Sequence, residues 1–273
     1  MATYTSVDIC NSALIKIGAD TITTIADDNK RANLCNERYK HCRDEVLRSH
    51  NWDCATLKVK LVFDKATISG ATAATPPVIT ATAHGYVSGN KIEIGGDVED
   101  VVGMTELNDN EYWITWTSAD TFSLQDTDGD DIVGAGYTAY ASGGEARRIP
   151  LTDDWDYQYA LPTDWLKTID VLDESGAAIS YRKEGLYILT NEDESWLEYI
   201  KQETDVDVFD SMLFETIACR LAMDIAYPIT NSRQMEEKME KRYLYQLAEA
   251  RTINANEDNS DDTDTNAWIT ARG

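Results

Sequence analysis

The sequence predicts an α+β fold: a helical body with a small antiparallel sheet, interrupted by an inserted small all-β barrel module and finished by an extended tail. Three observations predict it. Near both ends of the chain, apolar residues recur every three to four positions, the pattern of helices with one buried face. From about residue 66 to 148 that period disappears, and Thr, Gly, Ala and Asp take over. Residues 252–273 are acidic and nearly free of apolar side chains until Trp268 and Ile269, too few to bury a core of their own.

Taken in order, Thr5 or Ser6 can cap a first helix over 5–18. Its Val7, Cys10, Leu14 and Ile17 share a face, and Gly18 suits its end. Asp27 or Asp28 can cap a second helix over 29–49, with Cys35, Tyr39, Cys42 and Val46 inward. These two are expected to pack as an antiparallel pair. TLKVKLVF, residues 56–63, alternates apolar and charged residues, as a strand with one wet face does. In the insert, VITATAHGY, NKIEIGG, EYWITWT and DTFSLQD are short runs between turn residues, which argues for a small barrel or sandwich.

After Ile149 the character is mixed again. WDYQYALPTDWLKTIDVLD turns at Pro162 into an apolar strand. AISYRKEGLYILTN reads as a hairpin around Glu184 and Gly185, and SWLEYIKQE as another strand. A third helix is expected over 210–226, with Leu213, Ile217, Leu221 and Ile225 on one face and Pro228 ending it. Asn231 or Ser232 can cap a last helix that reaches about Ala250, striped by Met235, Met239 and Leu247 with Tyr243 nearby.

Composition narrows the function classes. No run of 18 apolar residues exists to span a bilayer, and the first twenty residues lack the basic flank and apolar stretch of a signal peptide. Folding in a cytoplasm is expected. Five cysteines, an odd number with four of them between residues 10 and 54, fit reduced thiols better than a disulfide framework. The net charge of −25 argues against a protein that grips phosphates and should repel free nucleic acid. Such repulsion is useful where DNA must pass a surface without sticking.

Three residue sets invite chemistry. RDEVLRSHNWDCAT puts His50, Asp53 and Cys54 close together, the residue types of a cysteine-nucleophile site. The alternative is a helix-to-strand corner with Trp52 as its wedge, and with no base fixed by the sequence the corner is the better reading. Cys35 and Cys42, seven apart, with His41, His50 and Cys54, could be imagined around zinc, yet no C-x-x-C pair occurs and the cysteines fill apolar helix positions. DTDGDDIVGAGY resembles a calcium loop at Asp126, Asp128 and Asp130, but Asp131 stands where the turn needs Gly and Tyr137 where the loop needs Glu. A turn with solvated acids is preferred, with weak divalent-ion binding left open. No P-loop, H-E-x-x-H or G-x-S-x-G motif occurs, so no catalytic residue, metal or cofactor is assigned.

Several stretches then fall into a familiar order. A short helix ending in KIG is followed by a small turn, then by a long helix carrying N-x-x-Y and closing on RSHNWDCA. WDYQYALPTDWL at 155–166, a closing helix pair and a polar tail follow. Over residues 5–63 and 149–250 this order resembles the tail tubular protein A family of tailed bacteriophages, which are head-to-tail adaptor proteins. AHGYVSGNKIEIGG, GMTELNDNEYWI, DTFSL and DTDG, within 76–145, resemble a small β-barrel module of phage structural proteins related to the FCCH domain of ubiquitin-activating enzymes.

The resemblance implies a ring, usually of twelve copies, beneath the portal protein. The ring would extend the channel for genomic DNA, which passes without specific binding, and would offer a platform to a downstream tail or nozzle protein. It places the chain in the virion at the head-tail junction, with no membrane partner. The expected domains are 1–65 and 149–251 for the adaptor body, 66–148 for the β module, projecting outward, and 252–273 for the tail. Residues alone favour a frayed terminus for that tail; the resemblance makes it a portal-docking segment with Asn256, Trp268 and Ile269. Trp52, Trp155, Tyr157 and Pro162 are the expected corner and core positions. Two other classes stand beside this: a tail protein binding host glycan or receptor through the β module, and a cell-wall hydrolase with a carboxylate pair in a cleft.

Overall fold

The computed structural model describes residues 3–152 and 154–257. The chain begins with helices α1 (Ser6–Lys16) and α2 (Lys30–Arg48). Strands β1 (Thr56–Lys60), β2 (Lys65–Thr67), β3 (Gly70–Ala71), β4 (Val78–Thr80) and β5 (Lys91–Ile94) follow. Next come β6 (Val101–Val102), β7 (Asn110–Ser118), β8 (Thr121–Gln125), β9 (Ser142–Gly143) and β10 (Glu145–Ile149). Then β11 (Tyr157–Ala160), β12 (Trp165–Leu172), β13 (Tyr181–Glu184), β14 (Tyr187–Thr190) and β15 (Trp196–Lys201) lead into α3 (Ser211–Thr230) and α4 (Arg233–Glu257). The strands form sheets in the orders β1-β15-β12, β2-β10-β5-β7-β8-β4-β3, β11-β14-β13 and β6-β9. The described residues form two compact units, one from 3–58, 163–169 and 198–257, the other from the described part of 59–162 and from 170–197.

The helices of the first unit start where side chains satisfy free backbone N–H groups. The Asp8 carboxylate accepts from the Thr5 N–H at 2.7 Å and from its hydroxyl at 2.8 Å. Asn29 caps α2 by accepting from the Ala32 N–H at 3.0 Å, in place of the expected Asp27 or Asp28. Asp27 is already engaged, holding the N–H groups of Thr23 and Thr24. Asp210 caps α3, accepting from Met212 and Leu213.

α3 does not stop at Pro228 as expected; it runs through Pro228 to Thr230. A proline so close to the C-terminal end costs the helix only the one i→i−4 hydrogen bond that its missing N–H would have made. Asn231, left-handed at φ 53°, makes the actual stop by donating its N–H to the Tyr227 carbonyl at 2.8 Å. α4 likewise runs past the expected end near Ala250 to Glu257, so residues 252–257 are helix rather than extended tail.

α3 is the hub. α1 and α2 touch each other, but each lies more extensively on α3, as does α4. Residues 216–222 of α3 are all buried, so this stretch is enclosed on every side. It carries Arg220, 8 % exposed. Arg220 donates to Glu45 Oε2 on α2 at 3.0 and 2.7 Å, and to Asp224 Oδ1 one turn on at 2.6 Å. Arg38 also binds Asp224, and Tyr243 of α4 lies beneath the Arg220 guanidinium, 5.9 Å from ring centre to Cζ.

The second unit is built on alternation. Ile92 and Ile94 of β5, Tyr112 and Ile114 of β7, and Phe122 and Leu124 of β8 are buried, while their neighbours face outward. The seven-stranded sheet is antiparallel and open, with β2 and β3 at its edges, so the expected closed barrel is corrected to an open sheet around one core. The edge strands are short and separated in the chain by only Ile68 and Ser69. The hairpin expected around Glu184 and Gly185 is β13-β14, with Glu184 opposite Tyr187.

Burial alone would raise the Asp224 carboxyl, but the hydrogen bonds from Arg220 and Arg38 outweigh it and hold the group below its ordinary 3.8. Since the folded value is the lower one, its contribution is complete above about pH 4 and is lost as pH falls through the folded value. Asp224→Asn should be about 2–4 kcal/mol less stable at neutral pH, because it leaves two guanidinium groups short of a counter-charge. Urea midpoints followed into acid should fall more steeply for the native chain than for this variant; parallel profiles would show that Asp224 is not the linked group.

Candidate functional site

The helix-to-strand corner is where most of the sequence's candidates meet. α2 ends at Arg48, and the Ser49 hydroxyl donates to the Val46 carbonyl at 2.7 Å. Trp52 is fully buried and its indole N–H donates to the same carbonyl at 2.9 Å. A short helical turn, Asp53–Ala55, then delivers the chain into β1. The corner also receives the end of α4. Arg251 donates to the Ser49 carbonyl at 2.7 Å, and the Asn254 amide bonds the backbone of Asn51 and both the N–H and carboxylate of Asp53. Lys167 adds a bond to the Asn51 side chain at 2.9 Å.

This geometry uses His50, Asp53 and Cys54 separately. The His50 ring packs edge-on against Trp52, centroids 4.9 Å apart. Burial lowers its pKa, and the charges of Arg251 and Lys167 lower it further. Cys54 is pushed up to about 12 by burial and then by Asp210 and Glu203, so at neutral pH it is a thiol and a poor nucleophile. Asp53 is bound to Asn254. A corner, not a nucleophile with its base, is what these residues build.

The zinc set is likewise dispersed. Cys35 and Cys42 are fully buried, Cys35 bonding the Cys10 thiol and Cys42 lying 3.6 Å from Asp224 Oδ2. His41 points the other way and is exposed beside Glu45. In the acidic turn, Asp126 Oδ1 accepts the N–H groups of Asp128 at 3.0 Å and Asp130 at 2.9 Å, which makes it a turn-forming residue. Among the described residues no three His, Cys, Asp or Glu side chains group as metal ligands would.

The expected core positions divide. Trp52 belongs to the helical core, but Trp155, Tyr157 and Pro162 are only half-buried. The core position on β11 is Tyr159, 1 % exposed, because it stacks at 5.0 Å on Phe63 and its hydroxyl reaches two backbone carbonyls. Asn256 lies within α4, so it is not part of a free tail. Trp268 and Ile269 lie outside the described residues. The signal missed in the sequence is Asn254: it sits one turn beyond the last apolar stripe position, Ala250, and marks a helix that is still buried there.

On its outside the helical unit leaves large apolar side chains uncovered: Ile15 on α1, Tyr227 on α3, and Leu244 and Tyr245 on α4, the last 70 % exposed. Among the described residues no helix is long and apolar enough to cross a membrane. No family model matches the chain, and no curated protein matches it.

Trp52→Ala should cost about 3–5 kcal/mol, since it empties a fully buried site and removes the indole hydrogen bond to the Val46 carbonyl. Cys54→Ser, at a half-buried position, should cost clearly less. Denaturant titration of both variants checks the order; equal losses would contradict the corner.

Proposed function

We propose that the protein is a structural head-to-tail adaptor of a tailed bacteriophage. It forms a ring beneath the portal, extends the DNA channel and gives the tail its attachment platform. One observation carries this reading: the order of elements. Two helices and a strand, an all-β excursion, an aromatic-rich return and a closing helix pair follow one another as in the tail tubular protein A family, which the quoted motifs resemble.

Two features support it. The exposed Ile15, Tyr227, Leu244 and Tyr245 give the helical unit apolar contacts for neighbouring copies. The net charge of −25 suits a channel through which genomic DNA slides without specific binding. The function is assembly in the virion, with the portal on one side and a tail or nozzle protein on the other. Residues 258–273, which hold Trp268 and Ile269, are the portal-docking segment in this reading.

Electron microscopy of the purified chain, alone and mixed with portal protein, tests it. Rings that cap the portal, twelve-fold by the resemblance, are the expected outcome; persistent monomers that never join the portal defeat the adaptor. Truncation after Glu257 preserves α4 and its corner bonds, so the helical unit should keep its thermal stability while portal binding is lost. Retained binding would remove the docking role from Trp268 and Ile269.

A further inference from the structure

His50 stands between two anchored cations. On one side of it in the chain, the Ser49 carbonyl accepts from Arg251 of α4 at 2.7 Å. On the other, the Asn51 side chain accepts from Lys167 of β12 at 2.9 Å. The imidazole packs edge-on against the buried Trp52, and its Nε2 is buried with no hydrogen-bond partner among the described residues. A neutral ring suits that setting. A protonated ring would add a third positive charge to the corner and a buried N–H with nothing to accept it.

The same bonds hold the end of α4. Ala250 is its last buried apolar position. Beyond it Ile253 is only half-buried, and Thr252, Ala255 and Asn256 are exposed. The final turns of α4 therefore rest mainly on polar contacts: Arg251 on Ser49, and the Asn254 amide on Asn51 and Asp53. We propose that His50 is an acid-sensitive latch: while its ring is neutral, residues 251–257 stay docked on the corner, and protonation of the ring releases them. Release relieves both penalties, since it takes Arg251 away from the ring and opens Nε2 to solvent.

The charges around the ring decide the direction. Asp53 favours the protonated form, but its carboxylate is already bonded to the Asn254 amide at 3.2 Å. Asp210 and Glu203, the other carboxylates near the turn, act on Cys54. Burial, then Arg251 and Lys167, outweigh Asp53 and hold His50 below its ordinary 6.5. The docked corner thus takes the proton less readily than the released one. Docking is complete above about pH 6.5 and weakens as pH falls through that value towards the docked one. This window lies above that of Asp224, which opens only below about pH 4. The inference stands on the helical unit alone and holds whether or not the chain assembles as a ring.

Amide hydrogen exchange of the full chain at about pH 7.5 and about pH 5, corrected for the intrinsic effect of pH on exchange, decides it. Amides of 251–257 should lose about tenfold or more of their protection at the lower pH, while those of 213–225 in α3 keep theirs. His50→Gln, which has no titrating group, should leave 251–257 equally protected at both. Should that variant fail to fold, an NMR titration of the His50 ring replaces it: the midpoint should lie below that of a free histidine and move up in Lys167→Gln. Equal protection of 251–257 at both pH values in the native chain, an acid loss that persists in His50→Gln, or a His50 midpoint indifferent to Lys167→Gln would each overturn the proposal.

Discussion

A guanidinium buried in the middle of a helix sets the terms for the helical unit. Arg220 sits in the stretch of α3 that is enclosed on all sides, where an unpaired charge would cost several kcal/mol. Its partners come from separate elements: Glu45 from α2, Asp224 from α3 itself and the Tyr243 ring from α4. Arg38 then completes the bonding of Asp224. Apolar burial pulls the helices together without fixing how they slide past one another. The charge network adds that constraint between α2 and α3, because a shift of one turn would part Arg220 from Glu45 and Arg38 from Asp224.

The β unit repeats the device with a different frame. Arg147, 5 % exposed, donates to Glu93 at 2.6 Å and Asp97 at 2.8 Å and lies over the rings of Phe63 and Tyr157. Here the frame is a ladder of backbone hydrogen bonds, and alternation decides which side chains go in and which remain outside. The same alternation that buries Tyr112 and Ile114 obliges Trp113 to face outward.

The groups nearest to chemistry in both units are occupied by packing. Cys42 is pushed up to about 12 by burial and by Asp224, and Tyr39 to about 12 chiefly by burial. His84 is bound at both ring nitrogens: Nδ1 accepts the Tyr86 N–H at 3.0 Å, so Nε2 carries the proton that reaches the Ser118 carbonyl at 3.1 Å. On the outside of the helical unit stand Leu244 and Tyr245.

Local rules made much of this legible. Helix periodicity placed all four helices, short runs between turn residues marked β4, β5, β7 and β8 but not β2, β3, β6, β9 or β10, and the corner at 49–56 followed from an apolar Trp between a helix and a strand pattern. What the sequence could not decide were matters of partnership. Asn29 caps α2 because Asp27 is engaged elsewhere, and α3 passes Pro228 to stop at the left-handed Asn231. α4 continues through 252–257 because Asn254 finds the backbone of the corner, some two hundred residues earlier in the chain. Periodicity is a property of neighbours in the sequence and can be read there. Which distant group satisfies a buried donor, acceptor or charge exists only once the chain has folded, so the reach of α4, the pairing of Arg220 and the open edge of the sheet were settled by tertiary structure alone.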